Sequence, residues 1–283
     1  MRQKYNFKTV TSLVLAGIEI KNLSLHKYFE RESRMKFIRS LEDIGEYALL
    51  MRKVLSIPDR MREFMKEFMK GVYTLGVNSI WIVIIISFFI GAVIVLQIAL
   101  NIDSPLLPRF TVGVVSREII LLEFSSTIMC LILSGKVGSN VASEIGTMRI
   151  TEQIDALDIM GVNSANYLIL PKIASFVAFM PVLVIFSMFM GLFGGYIICM
   201  VLGTPSVETY VYGIQAFFRE SFVWYSIVKS MLFGFIIASV AAYFGYTAKG
   251  GALEVGAAST NSVVINSVLI LVTDLLFTQL ALG

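Results

Sequence analysis

The sequence lacks the residues on which most catalytic and metal sites depend. Its single histidine, His26, stands in a basic region with no cysteine or second histidine near it. Nucleophilic catalysis needs an activated base, and a metal site needs several ligands close together, so neither is indicated. We therefore expect His26 to be a solvated surface residue, and we expect the chain to bind no metal ion.

Cysteine is scarce, and a phosphate-binding loop is missing. Cys130 and Cys199 both lie in apolar runs, so neither a disulfide framework nor a thiolate metal site is indicated. The nearest approach to a phosphate-binding loop, at Gly135-Lys136, has no Ser or Thr after the lysine and lacks the earlier glycine of such a loop. The chain is therefore expected to bind no cofactor and to hydrolyse no ATP by itself.

Charged residues are few, and their positions are uneven. They make up 15% of the 283 residues, against roughly 25% in an ordinary soluble domain, and 57% of the residues are hydrophobic. Lipid must be the solvent for most of the chain, and no nucleic-acid partner is expected. Of the 23 lysines and arginines, 15 precede residue 77, which predicts a cytoplasmic N-terminus by the positive-inside rule. No removable signal peptide is recognisable.

Long runs without charge predict an all-α membrane protein with about five transmembrane helices. Because about 20 apolar residues cross a hydrocarbon core, residues 80–100 and 173–202 are each long enough. The run 173–202 exceeds that length, so it must tilt, protrude or bend at Pro181. Three further runs each carry one ionisable residue: 119–135 with Glu123, 222–248 with Lys229 and 255–280 with Asp274.

The chain divides into three parts by pattern. Residues 1–44 are an N-terminal extension, in which Met35 is an alternative start. Residues 45–76 are expected to form an amphipathic helix in the membrane interface, because Met and Phe recur there at helical spacing between basic residues. Residues 77–283 form the transmembrane domain. With a cytoplasmic N-terminus, five spans place the C-terminus on the outer side of the membrane.

Residues 142–161, in the predicted cytoplasmic connection between the second and third spans, indicate a short helix. Thr151 is suited to cap its start, and Gly161 to supply a left-handed stop. Glu152 and Asp155 suit the positive end of the helix dipole. One face would carry Ile150, Ile154 and Leu157, and another Thr151, Asp155 and Asp158. Such a helix can bury one face in a partner protein, and an ordinary solvated connection has the same spacing.

The same region resembles the signature of a known family. The run Glu144-Ile-Gly-Thr-Met-Arg-Ile-Thr-Glu-Gln-Ile-Asp-Ala-Leu, then Met160-Gly161 and Pro171-Lys172, resembles that of the MlaE-type permeases of lipid ABC transporters. Residues 89–97 resemble the family's first span, 134–139 the exit of its second span, and 256–260 with Asp274 its last span. The resemblance covers roughly residues 45–280.

The resemblance implies the permease subunit of an ATP-driven phospholipid transporter in the bacterial inner membrane. Such a permease works as a homodimer, with phospholipid between the two copies. Two cytoplasmic P-loop ATPase subunits would bind ATP and Mg²⁺, and a periplasmic binding protein with MCE domains would exchange lipid with the permease. The residues expected to dock the ATPase are Glu144, Arg149, Thr151, Glu152, Gln153, Ile154, Asp155 and Leu157.

Polar and charged residues inside the spans give a second set of candidates. An ionisable side chain at the bilayer centre costs about 2.5 to 3.5 kcal/mol, so it is expected to face protein or a cavity. The resemblance places the acid at Glu123 beside the lipid pocket. The lipid-pocket candidates are Gln97, Glu123, Lys229 and Asp274. In the alternative reading, Lys229 snorkels from near a helix end, Asp274 forms a structural pair and Gln97 packs helices together.

The second span departs from the family pattern. The family usually shows Arg-Glu-Leu-Gly-Pro where this chain has Leu122-Glu123-Phe124-Ser125-Ser126. The acid is kept, but the arginine and the proline are not. A lipid-headgroup role of that arginine therefore does not transfer to Leu122.

Two other functions suit a polytopic membrane protein. A secondary transporter or channel would normally show repeated halves and broken helices with polar sites at the midplane, and the sequence shows neither. A membrane-embedded lipid-modifying enzyme would need a constellation of His, Cys or Ser residues that the sequence does not offer. Both remain rivals to the permease.

Overall fold

The computed structural model describes residues 42–58, 60–102, 108–203 and 205–282. The chain divides into two compact units, Met1–Leu50 and Met51–Gly283. In the first unit, the described residues 42–50 are helical. Most of the predicted N-terminal extension, with His26 and Met35, lies outside the described residues.

The second unit is built from helices, which confirms the predicted fold class. Five of them are long and apolar enough to cross a membrane, and no strand occurs in the described part of the chain. In order, the first to fifth spans are Met61–Asn101, Thr111–Ile150, Ser164–Leu202, Glu220–Tyr246 and Ala252–Leu280. Two short helices join spans: Gln153–Ile159, which we call the connecting helix, and Val207–Gln215.

Each helical span is longer than its apolar run at one end or both, because helices continue in water once they leave the hydrocarbon. The third span runs unbroken through Pro171 and Pro181 for 39 residues, or about 58 Å. It therefore exceeds the bilayer thickness by tilting or protruding rather than by breaking at a proline. The fourth span ends at Tyr246, two residues earlier than predicted, with Thr247 as its C-terminal capping residue.

The predicted amphipathic segment before the first span is not one helix. Residues 55–58 and residue 60 are non-helical around Pro58, which has no N–H to donate and restricts the residue before it. From Met61 the helix continues into the first span through a wide turn at Val72–Gly76. Its Met61, Met65 and Met69 side chains are exposed, as an interface helix requires.

Close helix contacts hold the spans together. A Cβ atom on Gly91 of the first span would lie 2.0 Å from the carbonyl oxygen of Gly191 in the third span, so only glycine allows this approach. The fourth span contacts the second, third and fifth spans. The fifth span buries one narrow stripe, formed by Val255, Ser259, Ser262, Asn266 and Ile270, and leaves its other faces exposed. Of the five spans, the fourth is therefore the most buried and the fifth the least.

Candidate functional site

Three of the four predicted lipid-pocket residues meet in one place, which we call the ion cluster: Glu123, Lys229 and Asp274, with Thr127. The Lys229 Nζ atom lies 2.5 Å from Asp274 Oδ1 and 3.4 Å from Glu123 Oε2. The Thr127 hydroxyl lies 3.0 Å from Asp274 Oδ1 and 3.3 Å from Glu123 Oε2. Since a hydroxyl has one proton, Thr127 donates to one carboxylate at a time. The cluster thus joins the second, fourth and fifth spans.

The ion cluster is buried on its cationic side and open on its acidic side. Lys229 is fully buried, so it does not snorkel to the membrane surface. Its Nζ atom also donates to the Leu122 carbonyl oxygen at 3.2 Å and lies 5.3 Å from the Tyr225 ring centroid. Of the two acids, Asp274 is 17% exposed and Glu123 is 44% exposed. A molecule that approaches the cluster therefore meets Glu123 first.

A widened helical turn shapes the second span at the ion cluster. Between Ile120 and Ile128 the backbone hydrogen bonds join residues that are five apart instead of the four of an α-helix. For example, the Met129 N–H donates to the Phe124 carbonyl oxygen. Such wide turns occur frequently at functional sites. Backbone carbonyls of this turn accept hydrogen bonds from the fourth span, because Ser226 Oγ lies 2.5 Å from the Leu121 oxygen and Lys229 binds the Leu122 oxygen. The only sequence signal for this turn is its run of hydroxyl residues, 125–127, which compete for backbone groups.

The fourth candidate, Gln97, is not part of the ion cluster. It lies near the end of the first span on an exposed face. No hydrogen bond among the described residues links it to Glu123, Lys229 or Asp274. The structure thus brings together the three ionisable candidates and leaves the amide apart.

Arg117 is a buried cation that the sequence reasoning did not single out. Its guanidinium donates to the carbonyl oxygens of Ile214 at 2.8 Å and Ala216 at 2.7 Å. These carbonyls end the Val207–Gln215 helix, just before Phe217, whose φ is +56°. Arg117 therefore fixes the end of that helix to the second span. In the sequence, Arg117 stands two residues before the apolar run 119–135, and this position is the signal that could have marked it as a candidate.

The Val207–Gln215 helix is also anchored by Tyr210. The Tyr210 side chain is fully buried and its hydroxyl donates to the Leu192 carbonyl oxygen at 3.3 Å. Burial raises the pKa of this hydroxyl, so it stays protonated and remains a donor.

The connecting helix begins differently from the prediction and ends as predicted. The proposed cap, Thr151, instead belongs to the end of the second span, where its hydroxyl donates to the Thr147 carbonyl at 2.8 Å. Glu152 precedes the helix with a φ of 59° and makes no side-chain cap. At the other end Gly161 has a φ of +76°, and the Val162 N–H donates to the Leu157 carbonyl at 3.1 Å.

The predicted buried face of the connecting helix is already covered by this chain. Ile154 is fully buried within this chain and Leu157 is half-buried, so the Ile154 side chain is not available for the docking contact expected of it. Periodicity identifies an apolar face of a helix, but it does not say whether the same chain or a partner protein covers that face. The side chains left for a partner include Glu152, Ile159, which is 86% exposed, and Met160, which is 67% exposed.

Several predicted docking charges are paired within the chain. The Arg149 Nη1 atom lies 2.6 Å from Asp155 Oδ1, and Lys172 Nζ lies 2.7 Å from Glu144 Oε2. Gln153 Nε2 donates to the Thr151 hydroxyl at 2.9 Å. The Arg149–Asp155 and Gln153–Thr151 contacts hold the connecting helix against the end of the second span, and the Glu144–Lys172 pair joins the second span to the third.

Comparison with known proteins gives consistent matches. The family described as Permease MlaE matches residues 68–280. A probable ABC transporter permease protein of Rickettsia bellii is 32% identical over 247 residues, which is 86% of this chain and 93% of that protein. A probable ABC transporter permease protein of Synechocystis is 32% identical over 199 residues, or 70% of this chain and 75% of that protein.

Proposed function

Because the chain belongs to the MlaE permease family, we propose that this ABC transporter permease moves phospholipid. The observation that carries the proposal is the ion cluster. Glu123 contacts Lys229 and Thr127, yet its side chain is 44% exposed within a membrane span, where exposed charge is costly unless further polar groups meet it. A phospholipid headgroup would provide such groups, while its acyl chains would lie along the apolar spans.

The acyl chains need a continuous apolar path between membrane and partner. At about 0.8 kcal/mol per methylene, two long chains in water would cost tens of kcal/mol. The first span offers an exposed apolar stripe of Trp81, Ile85, Phe89 and Val93. We propose that two copies of the chain enclose the lipid between their spans, with Glu123 of each copy facing it.

Energy has to enter through another protein, because this sequence holds no phosphate-binding loop. We propose that two P-loop ATPase subunits, which would bind ATP and Mg²⁺, dock on the permease pair, one on the connecting helix of each copy. Its exposed Ile159 and Met160 would supply apolar contact, and Glu152 a charge for a basic partner residue.

The orientation follows from the distribution of basic residues. We propose a bacterial inner-membrane protein with a cytoplasmic N-terminus and a periplasmic C-terminus, because the lysines and arginines concentrate before residue 77. This orientation places the connecting helix in the cytoplasm and the Val207–Gln215 helix outside. An MCE-domain protein would then exchange lipid at the periplasmic side.

Replacement of Glu123 tests the lipid site. Glu123→Ala is expected to leave the complex assembled and to reduce the phospholipid bound per complex several-fold, because the exposed polar group is lost. Glu123→Lys is expected to do more damage, since it sets a second ammonium beside Lys229. The measurement is mass spectrometry of the detergent-purified complex, which identifies both co-eluting proteins and bound lipid.

Glu118→Ala is the matched control, because Glu118 lies on the same span, is 43% exposed and pairs with Arg117 rather than with the ion cluster. It is expected to keep wild-type lipid occupancy. If both Glu123 variants also bind lipid as the wild type does, Glu123 has only a structural role.

A further inference from the structure

Tyr246, the last residue of the fourth span, contacts both helices that the connecting helix joins. Its hydroxyl lies 3.0 Å from Ser164 Oγ, at the start of the third span. The Arg149 guanidinium, in the last turn of the second span, lies over the Tyr246 ring, 5.8 Å from its centroid. Tyr246 therefore touches the chain on either side of the connecting helix.

Arg149 extends this contact to the connecting helix itself. The same guanidinium that lies over the Tyr246 ring binds Asp155 of the connecting helix at 2.6 Å. A displacement of the connecting helix thus acts on Tyr246 through Arg149, and a displacement of the third span acts on it through Ser164.

The fourth span links Tyr246 to the ion cluster as one helix. It runs unbroken from Glu220 to Tyr246, and Lys229 lies about 26 Å along its axis from Tyr246. Its last turn packs tightly on the second span, since a Cβ atom on Gly245 would lie 2.6 Å from the Ala142 carbonyl oxygen. A continuous helix moves as a unit, so a shift at Tyr246 also moves Lys229.

We infer that Tyr246 is the positioning residue that couples the connecting helix to the ion cluster. The Lys229 ammonium now lies closer to Asp274 than to Glu123, at 2.5 Å against 3.4 Å. Helix shifts of about 1 to 2 Å, which are common in switching proteins, exceed that difference. A shift transmitted through Tyr246 would therefore change which carboxylate holds Lys229, and so change the charge that Glu123 offers to a lipid. The inference rests on the proposed function.

The test uses the complete complex of this chain with its ATPase, reconstituted in phospholipid vesicles, with ATP hydrolysis and lipid transfer measured on the same sample. Tyr246→Phe keeps the ring beside Arg149 and removes the hydrogen bond to Ser164. We expect ATPase binding and hydrolysis to persist while lipid transferred per ATP falls about fivefold, the factor typical of one hydrogen bond. Tyr246→Leu, which removes both contacts, is expected to lower transfer per ATP about tenfold.

Ser164→Ala removes the same hydrogen bond from the other side, so it should match Tyr246→Phe, and the double variant should be no worse than either single variant. Tyr73→Phe, at an exposed tyrosine of the first span, is the control and should transfer lipid as the wild type does. Wild-type transfer per ATP in both Tyr246→Phe and Ser164→Ala would overturn the inference and leave the proposed function standing. A wild-type complex that hydrolyses ATP and moves no lipid would overturn both.

Discussion

Replacement of Lys229 by methionine is expected to stop ATP-driven lipid transfer and to destabilise the chain by about 3 to 5 kcal/mol. Lys229 is fully buried and supplies the only cation within 4.0 Å of either Glu123 or Asp274 among the described residues. Without Lys229, two carboxylates share one site, and the Leu122 carbonyl oxygen keeps only the Ser126 hydroxyl as a donor among the described side chains. Thermal unfolding of the detergent-purified protein measures the stability, and reconstituted vesicles measure the transfer.

A second substitution separates stability from function at the same site. Lys229→Met with Asp274→Leu removes the buried pair as a unit, and replacing such a pair by apolar residues is often neutral for stability. The double variant should therefore regain most of the lost stability without regaining lipid transfer. Lys249→Met, at an exposed lysine beyond the fourth span, is the control. Wild-type stability and wild-type lipid transfer in Lys229→Met would show that the ion cluster contributes to neither folding nor transport.

Charge reversal on the connecting helix is the other change with a large expected effect. Glu152→Lys together with Asp155→Lys should abolish ATPase binding, because losing one partner of a buried charge pair typically costs about 2 to 5 kcal/mol. The change at Asp155 also sets an ammonium beside Arg149, the present ion-pair partner of that carboxylate, which loosens the helix. Membrane insertion and dimerisation should persist, since the two residues lie outside the five spans. Co-purification with the ATPase is the measurement.

Because Asp155 also has a partner inside the chain, a second variant isolates the contact with the ATPase. Ile159→Asp with Met160→Asp alters two exposed side chains and should also prevent ATPase binding. Glu208→Lys, on the Val207–Gln215 helix at an exposed position, should leave binding unchanged. If the double charge reversal still co-purifies with a full complement of ATPase, the connecting helix is only a solvated connection.

The spans were predictable because length and lack of charge are local properties of a sequence. The ends of the spans were less predictable, because a helix that leaves the hydrocarbon can continue with polar residues. The span Thr111–Ile150 does so on both sides of its apolar run. The break at Pro58 carried a readable signal, whereas Pro171 and Pro181 carry the same signal inside an unbroken helix. Tertiary packing decides between these outcomes.

The candidate site was predictable residue by residue and not as an arrangement. The cost of charge in lipid marked Glu123, Lys229 and Asp274 separately, but their meeting depends on how three spans pack around a widened turn. Thr151 had the composition of a helix cap, yet its hydroxyl bonds to the preceding helix instead. Competing local partners of this kind cannot be ranked from spacing alone.

We propose that this permease, powered by a partner ATPase, moves phospholipid past the ion cluster. The most direct test is transfer of labelled phospholipid by the reconstituted complex, measured with ATP, without ATP, and with Glu123→Ala in the presence of ATP. We predict ATP-dependent transfer by the wild type and a several-fold lower rate for Glu123→Ala at equal ATPase content. Transfer that is independent of ATP, or no transfer by a complex that hydrolyses ATP, would contradict the account.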